Sequence, residues 1–438
     1  MIRAQGGRAA ALRRFLVTPT DALPLLVLRV SFGLLIALSA ARFVAKGWVE
    51  ELYLAPSFHF TYFGFSWIEP PSAPWIYGLF AVLFLGGLLL AAGVGARWTA
   101  AGVFVLFTTA ELFDKALYLN HYVLVSSLAL LFVFLPLAPL RGRSVPRWAL
   151  AAARLQVGLV YAFAGLGKLE ADWLLRAEPL STWLPARAEI PFLGVLLEQS
   201  WVAFAASWGA LAFDLSLPFL LLWGRSRLAA WTVAALFHAC TALLFEIGLF
   251  PWIMLCATLV FFTGEELHRF FTRATGRARR DATEARVAET PRASLAATPA
   301  HAAAVSFLLL LQLLLPLRHA VYPGDVLWTE EGYRFSWRVM LAEKNGHVVF
   351  WVEPPGEAER AVYPSELLTR LQEHQMSYQP DMILELAHHL AHLHGEGTRV
   401  RAEARVSLNG RRSRLLIDPS VDLASRPRSL KSQSWILR

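Results

Sequence analysis

The first part of the chain alternates long apolar runs with short polar connections. A helix that crosses a bilayer needs about 20 mostly apolar residues, and fewer when it packs inside a bundle. Runs of this kind predict nine spans, of which the last two are short. We place the spans at 24–41, 75–95, 98–113, 122–139, 148–166, 202–223, 228–245, 249–263 and 302–317.

The pattern changes after the ninth span, where short alternating runs typical of β-strands replace the apolar ones. Such runs cover 347–352 and 400–408, and Asn409-Gly410 directly after the second run predicts a hairpin. A helical stretch covers 380–395. The sequence therefore predicts a small domain of strands and one helix behind the membrane region.

These patterns divide the chain into four parts. The fold class that we predict is a membrane all-α bundle of about nine transmembrane helices, followed by a small extracytoplasmic β-rich domain with one helix. The bundle with spans one to eight covers 1–263, a linker covers 264–301, the ninth span covers 302–317 and the β-rich domain covers 318–438. The linker is basic and rich in Ala, Thr and Pro, so we expect it to be disordered and cytoplasmic.

Composition and charge agree with a membrane protein. Hydrophobic residues make up 56% of the chain and charged residues 17%, against roughly 45–50% and 25% in soluble domains. With a cytoplasmic N-terminus, the inner segments carry seventeen arginines and the outer segments before the last span six basic residues. The positive-inside rule favours this orientation, so the net charge of +8 reflects topology and predicts no nucleic-acid partner.

Two cysteines are present, Cys240 and Cys256, and both lie inside apolar runs. A disulfide framework outside the membrane is therefore excluded. The histidines of the predicted helix share faces with one another, but the chain has no H-E-x-x-H motif. An amphipathic helix explains their spacing, and we predict no metal site.

Ionisable side chains within or beside the spans are the candidates for function, because a charge in a bilayer is costly unless it is paired or faces a cavity. Asp214 lies in the middle of span six and His238 within span seven. The others cluster at the predicted outer ends of the spans: Asp114, Lys115, Asn120, His121, Lys168, Glu170, Asp172 and Glu246.

Among these residues, Lys168 is the strongest candidate for a catalytic role. It follows Gly165-Leu166-Gly167 at the lip of an apolar bundle, where desolvation favours the neutral amine of a general base or nucleophile. A close carboxylate would oppose this effect, because an ion pair keeps a lysine protonated. Asp114, Asp172 and Asp214 are the carboxylates that sequence alone cannot place.

Each of the other residues also has a purely structural interpretation. Lys115 at a helix end is expected to extend to the lipid headgroups. His238, alone on an apolar face, is more often a hydrogen-bonded bundle histidine than a catalyst. Asp214 requires a cation or several donors, and Arg29 and Arg154 are the cations within the spans.

Several separated strings resemble the vitamin K-dependent γ-glutamyl carboxylases, whose membrane region is also known as the horizontally transferred transmembrane domain. The resemblance follows the family's order from about residue 16 to residue 425. The strings are DKALYLNHY (114–122), AGLGKLEADW (164–173), DLSLPFLLLWGRSR (214–227), FHACTALLFEIGLFPW (237–252), GYRFSWRVM (332–340) and VSLNGRRSRLLIDPSVDLA (406–424).

The resemblance implies a carbon–carbon lyase, a peptidyl-glutamate 4-carboxylase. Reduced vitamin K (phylloquinone or menaquinone hydroquinone) would react with O2 to give the 2,3-epoxide and a strong base. That base would remove a γ-proton from glutamate, and the carbanion would attack CO2. The implied partners are the lipid bilayer, the quinone and a glutamate-containing peptide or protein.

The matched motifs imply the roles of individual residues. Lys168 matches the family's active-site base, and His121 matches the histidine of the carboxylation half. Tyr333, Ser336 and Trp337 match its glutamate-contact segment. The supporting polar residues that we expect around this site are Asp114, Asn120, Asp172, Asp214 and His238.

Departures from the animal enzymes suggest a short member of bacterial type. Both cysteines are intramembrane, and Gly167 stands where animal members carry a second lysine. We therefore expect an integral protein of a bacterial inner membrane. Two alternatives stay open: a quinone epoxidase without glutamate carboxylation, and a non-catalytic quinone-binding membrane protein.

Overall fold

A computed structural model of the chain describes residues 11, 14–137, 144–275 and 299–438. Within these residues, helices form a bundle and a four-stranded sheet forms the core of a C-terminal domain. A short ribbon of β1 (Pro19–Asp21) and β2 (Ser144–Pro146) joins two ends of the bundle. The bundle helices are α1 Leu23–Ala45, α2 Ala73–Ala92, α3 Ala96–Leu112, α4 Asn120–Phe134, α5 Arg147–Gly167, α6 Ala171–Arg176, α7 Leu180–Trp183, α8 Gly194–Leu197, α9 Ser200–Leu222, α10 Arg227–Leu244, α11 Phe250–Thr258, α12 Gly264–Thr275 and α13 Pro299–Leu314.

Six helices of the described residues are long and apolar enough to cross a membrane. They are Leu23–Ala45, Ala73–Ala92, Arg147–Gly167, Ser200–Leu222, Arg227–Leu244 and Ala300–Val321. The predicted count of nine is therefore not confirmed.

The other three predicted spans correspond to helices that are shorter than a full span. Span three falls on α3, whose seventeen residues include Arg97 and Glu111. Span four is cut short because Leu135 is extended ahead of Pro136, so α4 ends at Phe134. Span eight falls on α11, which is followed only by a single 3₁₀ turn.

The segment predicted as a disordered linker begins with a helix. Helix α12 starts with a capping box, in which Glu266 accepts from the Thr263 amide at 2.7 Å and Thr263 Oγ1 accepts from the Glu266 amide at 3.2 Å. Glu266 also forms an ion pair with Arg227 at 2.5 Å. The linker prediction is therefore wrong for 264–275, and 276–298 lie outside the described residues.

Helices α1 and α2 pack closely because glycines face each other at their crossing. A methyl group on Gly33 would lie 2.5 Å from the Gly87 carbonyl oxygen, and one on Gly87 would lie 2.6 Å from the Gly33 oxygen. Small residues at such a crossing allow the helix backbones to approach. This packing holds α1 against α2, and the C-terminal end of α1 contributes to the site described below.

The C-terminal domain contains β3 (Lys344–Glu353), β4 (Arg360–Val362), β5 (Arg399–Leu408) and β6 (Arg414–Leu415), together with α14 (Val326–Thr329), α15 (Arg370–Met376) and α16 (Pro380–His394). The sheet is antiparallel in the order β4-β3-β5-β6. Buried pairs such as Phe350 with Ala402 and Val352 with Val400 form its inner face. The predicted strands and the helix predicted at 380–395 are thus confirmed in position, but the prediction of one helix is wrong because α14 and α15 precede α16.

The predicted Asn-Gly hairpin is also confirmed. Asn409 and Gly410 have φ values of 51° and 70°, and they connect the antiparallel strands β5 and β6. Left-handed backbone at both positions is what makes Asn-Gly favourable here. Strand β6 has only two residues, so the hairpin is shorter than the alternating pattern indicated.

Ion pairs fasten the C-terminal domain to the bundle. Lys115 is buried, and its Nζ lies 2.9 Å from Asp381 Oδ2 and 2.7 Å from Glu385 Oε2, both on α16. The expectation that Lys115 extends to the headgroups is therefore wrong. Its partners lie more than 260 positions further along the chain, where no local pattern connects them to it.

Candidate active site

Two adjoining cavities lie where the predicted site residues meet. The larger has a volume of about 930 Å³ and is lined by side chains of both the bundle and the C-terminal domain. The smaller, of about 320 Å³, lies within the bundle and has mostly apolar walls. We call them the polar cavity and the apolar cavity. Their shared wall consists of Phe245, Ile247, Phe250, Val339 and Met340.

A buried ion pair lies on the apolar cavity. Lys168 follows the last residue of α5, and its Nζ lies 2.8 Å from Asp214 Oδ2 in the middle of α9. The same nitrogen donates to the Ala164 carbonyl at 3.1 Å. Helices α5 and α9 approach closely because Gly165 has no side chain to collide with Leu215, whose Cδ2 lies 2.6 Å from the position of a methyl group.

His238 on α10 reaches the same cavity. Its Nε2 lies 2.9 Å from the Tyr161 hydroxyl oxygen, and its buried Nδ1 has no hydrogen-bond partner. A buried ring nitrogen without a partner is unfavourable unless a ligand or a water completes it. The cavity therefore presents one unused polar atom besides the ion pair.

The arginines expected to neutralise Asp214 have other partners. Arg29 donates to the Leu137 carbonyl at 2.6 Å. Arg154 donates to the Val260 carbonyl at 2.9 Å. Both satisfy carbonyl groups within the bundle, so that prediction is wrong and Lys168 provides the cation.

His121 and Asn120 begin α4 and line the polar cavity. The Asn120 amide donates to the Arg338 carbonyl at 3.3 Å, and the same carbonyl accepts from the Tyr333 hydroxyl at 3.1 Å. The His121 ring lies 5.6 Å from the ring of Phe250, and the His238 ring lies 6.2 Å from that same ring. Phe250 therefore separates the histidine of one cavity from the histidine of the other.

The segment from Glu330 to Met340 forms part of both cavities in a strained conformation. Glu330, Phe335, Trp337 and Met340 all have φ between 55° and 66°. Each such residue costs roughly 1–3 kcal/mol and persists only where the surroundings hold it. The strain accumulates in the part of the C-terminal domain that borders the shared wall.

The three predicted glutamate contacts on this segment do not point the same way. Tyr333 lines the polar cavity. The Ser336 hydroxyl donates to the Tyr333 carbonyl, and Trp337 is 2% exposed and packs in the bundle core. Neither Ser336 nor Trp337 lines either cavity.

Asp114 and Asp172 bind the C-terminal domain rather than line a cavity. Asp114 accepts from the Ala116 amide at 2.8 Å and from the Gln372 side chain at 2.7 Å. Asp172 accepts from the Asn409 side chain at 2.9 Å and pairs with Arg411. Both carboxylates therefore fasten the domain that completes the polar cavity.

Family comparisons match both the membrane part and the C-terminal part of the chain. A family model described as the HTTM domain matches residues 17–265, and one described as the vitamin K-dependent gamma-carboxylase, lumenal domain matches residues 297–438. The chain belongs to the vitamin K-dependent gamma-carboxylase family. The predicted resemblance is thus confirmed. No solved structure matches the chain.

Membership of the carboxylase family and the six apolar helices identify an integral membrane protein. Of the ten site residues predicted from the motifs, six line the cavities. Lys168, Asp214 and His238 lie on the apolar cavity, and Asn120, His121 and Tyr333 lie on the polar one. The roles of these residues stay predictions.

Tyr161 is a site residue that sequence reasoning missed in this carboxylase-family chain. It is 3% exposed, lines the apolar cavity and is the partner of His238. The available signal was its spacing, since Tyr161 lies seven residues, or about two helical turns, before Lys168 on α5. That spacing places both side chains on one helix face.

Glu170 is a half-buried carboxyl group near the Lys168 end of α5. Its Oε1 has no hydrogen-bond partner. Burial raises the pKa of Glu170 to about 7, and the nearby Arg338 only partly opposes this rise. The group therefore titrates near neutral pH without lining either cavity.

The histidines of α16 have partners consistent with a structural helix. His388 Nε2 lies 2.7 Å from the Arg426 carbonyl, and the His389 ring lies 4.4 Å from that of Phe58. In the part of the chain that the structure describes, no group of three or more His, Cys, Asp or Glu side chains is arranged to hold a metal ion.

Proposed function

We propose that this protein couples oxygenation of reduced vitamin K to carboxylation of peptidyl glutamate with CO2. The observation that carries the proposal is the pair of adjoining cavities of opposite character, which share the Phe250 and Met340 wall. One cavity suits an apolar quinone and the other suits an acidic peptide. The shared wall keeps the two substrates close to each other.

The apolar cavity fits a quinone ring on three grounds. Its volume of about 320 Å³ lies within the range of roughly 300–1,000 Å³ found for small-molecule pockets. Its walls are mostly apolar, and His238 Nδ1 is a polar atom still without a partner. Lys168 and His238 would hold the ring oxygens, and the bound hydroquinone with O2 would supply a base stronger than any side chain.

The Lys168 and Asp214 pair provides a place for a proton. As an ion pair, Lys168 Nζ carries the proton and Asp214 Oδ2 accepts its hydrogen bond at 2.8 Å. Transfer of that proton to Oδ2 leaves a neutral amine and a neutral acid, which a low-dielectric site tolerates better than separate charges. The amine lone pair is then free to accept a proton from a ligand hydroxyl group.

The polar cavity supports the peptide half of the proposal. Six basic and three acidic side chains line it, so it has an excess of positive charge for a glutamate carboxylate. His121 and Tyr333 lie on the same cavity. Phe250 and its neighbours would limit the access of water to the apolar side.

The proposal is tested by reconstituting the purified protein in liposomes. The assay supplies reduced vitamin K, O2, labelled bicarbonate and a short glutamate-containing peptide, and it measures label in the peptide and epoxide in the lipid. We expect both products from the wild type and neither from Lys168→Ala. Folded wild-type protein that gives neither product would contradict the proposal and favour a non-catalytic quinone-binding protein.

One observation favours a second function, a quinone epoxidase without glutamate carboxylation. Ser336 and Trp337, two of the three residues matching the family's glutamate contacts, point away from the polar cavity. The same reconstitution separates the two functions. Epoxide without labelled peptide would identify the epoxidase.

A further inference from the structure

Two basic side chains at the outer end of α1 line the polar cavity without a carboxylate partner. Arg42 and Lys46 both contact the indole ring of Trp48, whose centroid lies 4.6 Å from the guanidinium carbon and 5.7 Å from the lysine Nζ. Among the described residues, no Asp or Glu oxygen lies within 4.0 Å of either cation. Each is therefore available to an anion.

Three of the four other basic side chains of this cavity are paired with carboxylates, whereas Arg338 lies 3.2 Å from His319 Nε2. Lys344 pairs with Glu330, Arg334 lies 2.8 Å from Asp381, and Arg187 lies 4.0 Å from Glu246. The unpaired positive charge thus includes the pair on Trp48. Two like charges beside one ring repel each other, and an anion between them removes that cost.

Arg42 lies beside the loop that leads into Phe250 and lines the same cavity as His121. Arg42 Nη1 lies 3.4 Å from the position of a methyl group on Gly248. Gly248 is two residues before Phe250, whose ring is 5.6 Å from that of His121. Arg42 is therefore close to the residues that border the predicted carboxylation half without being one of them.

We propose that Arg42 and Lys46 form a second carboxylate subsite, which binds an acidic residue next to the reacting glutamate. The assignment of the ligand to a peptide rests on the proposed function. The subsite itself rests on the two unpaired cations and on the cavity that they line.

The test is a binding measurement that requires no turnover. Two fluorescent peptides of equal length carry one central glutamate, flanked either by glutamate or by glutamine. Their affinities for the full-length protein are measured in nanodiscs of zwitterionic lipid. We expect the glutamate-flanked peptide to bind about tenfold more tightly at low salt, with a smaller preference at high salt.

The double variant Arg42→Gln/Lys46→Gln should lose this preference and keep the affinity for the singly acidic peptide. Arg42→Lys/Lys46→Arg retains both charges and should preserve much of the preference. Arg97→Gln is the matched control, because Arg97 also lies over a tryptophan ring, at 5.7 Å from Trp98, but lines neither cavity. This control should leave both affinities unchanged.

Wild-type protein that binds both peptides equally, or a double variant that keeps the preference, would overturn the proposal. An unchanged peptide affinity together with weaker retention of anionic lipid in the double variant would also overturn it and assign the cations to headgroups. A preference without any carboxylated product would support the subsite while contradicting the proposed reaction. Carboxylated product without a preference would support the proposed reaction while contradicting the subsite.

Discussion

Lys168 and Asp214 are 46 positions apart in the sequence, yet Lys168 Nζ lies 2.8 Å from Asp214 Oδ2 at the apolar cavity. Both side chains are almost fully buried. The pair is therefore a single unit that either holds two opposite charges or shares one proton. Replacing either residue should therefore remove the activity that depends on both.

We expect Lys168→Ala and Asp214→Asn each to lower the rate of epoxide formation by about 10²–10⁴-fold. Loss of the lysine would remove the proposed proton acceptor, and loss of the carboxylate would remove the group proposed to exchange a proton with it. Epoxide formation at saturating quinone is the measurement. Arg401→Ala is the control, since Arg401 pairs with Glu359 at a partly exposed position outside both cavities. Normal epoxide formation by folded Asp214→Asn would refute the shared role.

The importance of this pair could be predicted from the sequence only in part. Lys168 and Asp214 were each identifiable as polar residues in apolar surroundings, and the motifs identified the family. Their contact was not predictable, because it depends on how α5 packs on α9 at Gly165. From the sequence, Asp214 had three possible cationic partners, Lys168, Arg29 and Arg154, and nothing in the pattern chose among them.

In the fold, too, features set by neighbouring residues were predictable from the sequence, whereas features set by residues far apart in the chain were not. The Asn409-Gly410 hairpin and the helix of 380–394 were predicted because their signals lie within a few neighbouring residues. Lys115 is buried because it packs against residues that are distant in the sequence. Ser336 turns away from the cavity because its neighbours have left-handed backbone. Neither leaves a periodic pattern in the chain.

The shared wall gives a second prediction. Phe250→Ala should reduce the amount of carboxylated peptide per epoxide by roughly tenfold. The reason is that the proposed quinone and peptide would lose the side chain that holds them in a fixed position relative to each other. The ratio of the two products is measured in one reaction.

Two other phenylalanines are matched controls for this ratio. Phe237 lines only the apolar cavity and Phe107 only the polar one, so replacing either with alanine should change the rates but not the ratio. An equal fall in the ratio for all three variants would instead indicate a general loss of packing.

Asp172 should prove to be a structural residue. It accepts hydrogen bonds from Asn409, which is fully buried, and from Arg411. Asp172→Ala leaves the Asn409 side chain without its acceptor, which we expect to cost about 1–3 kcal/mol of stability. A lower melting temperature with normal turnover per folded molecule is the expected result. Loss of turnover at an unchanged melting temperature would give Asp172 a catalytic role.

Glu170 predicts a pH dependence of stability. Burial raises its pKa to about 7 from the ordinary value of 4.5, so the folded state binds the proton more tightly than the unfolded state. The resulting stabilisation is complete below the unfolded pKa and is lost as the pH rises through about 7. The Glu170→Gln side chain cannot ionise, so this variant should not lose stability in this way as the pH rises.

Melting temperatures of the wild type and Glu170→Gln, measured between about pH 5 and about pH 8, test this prediction. The variant should gain stability relative to the wild type as the pH rises. Parallel curves would show that Glu170 has the same pKa in the folded and unfolded states. Asp418→Asn provides a comparison at an exposed carboxylate.

The polar cavity has walls from two domains that each have a family model of their own. Arg42 and His121 come from the membrane part, whereas Tyr333 and Tyr378 come from the C-terminal part. A gene that encoded the membrane domain alone would therefore keep the Lys168 pair, but it would lose Val339 and Met340 from the apolar cavity and the C-terminal walls of the polar cavity. In such a protein both cavities would be open on the side that the C-terminal domain covers here, and a different domain fused at that place would change the walls of the polar cavity while leaving Lys168 and Asp214 in position.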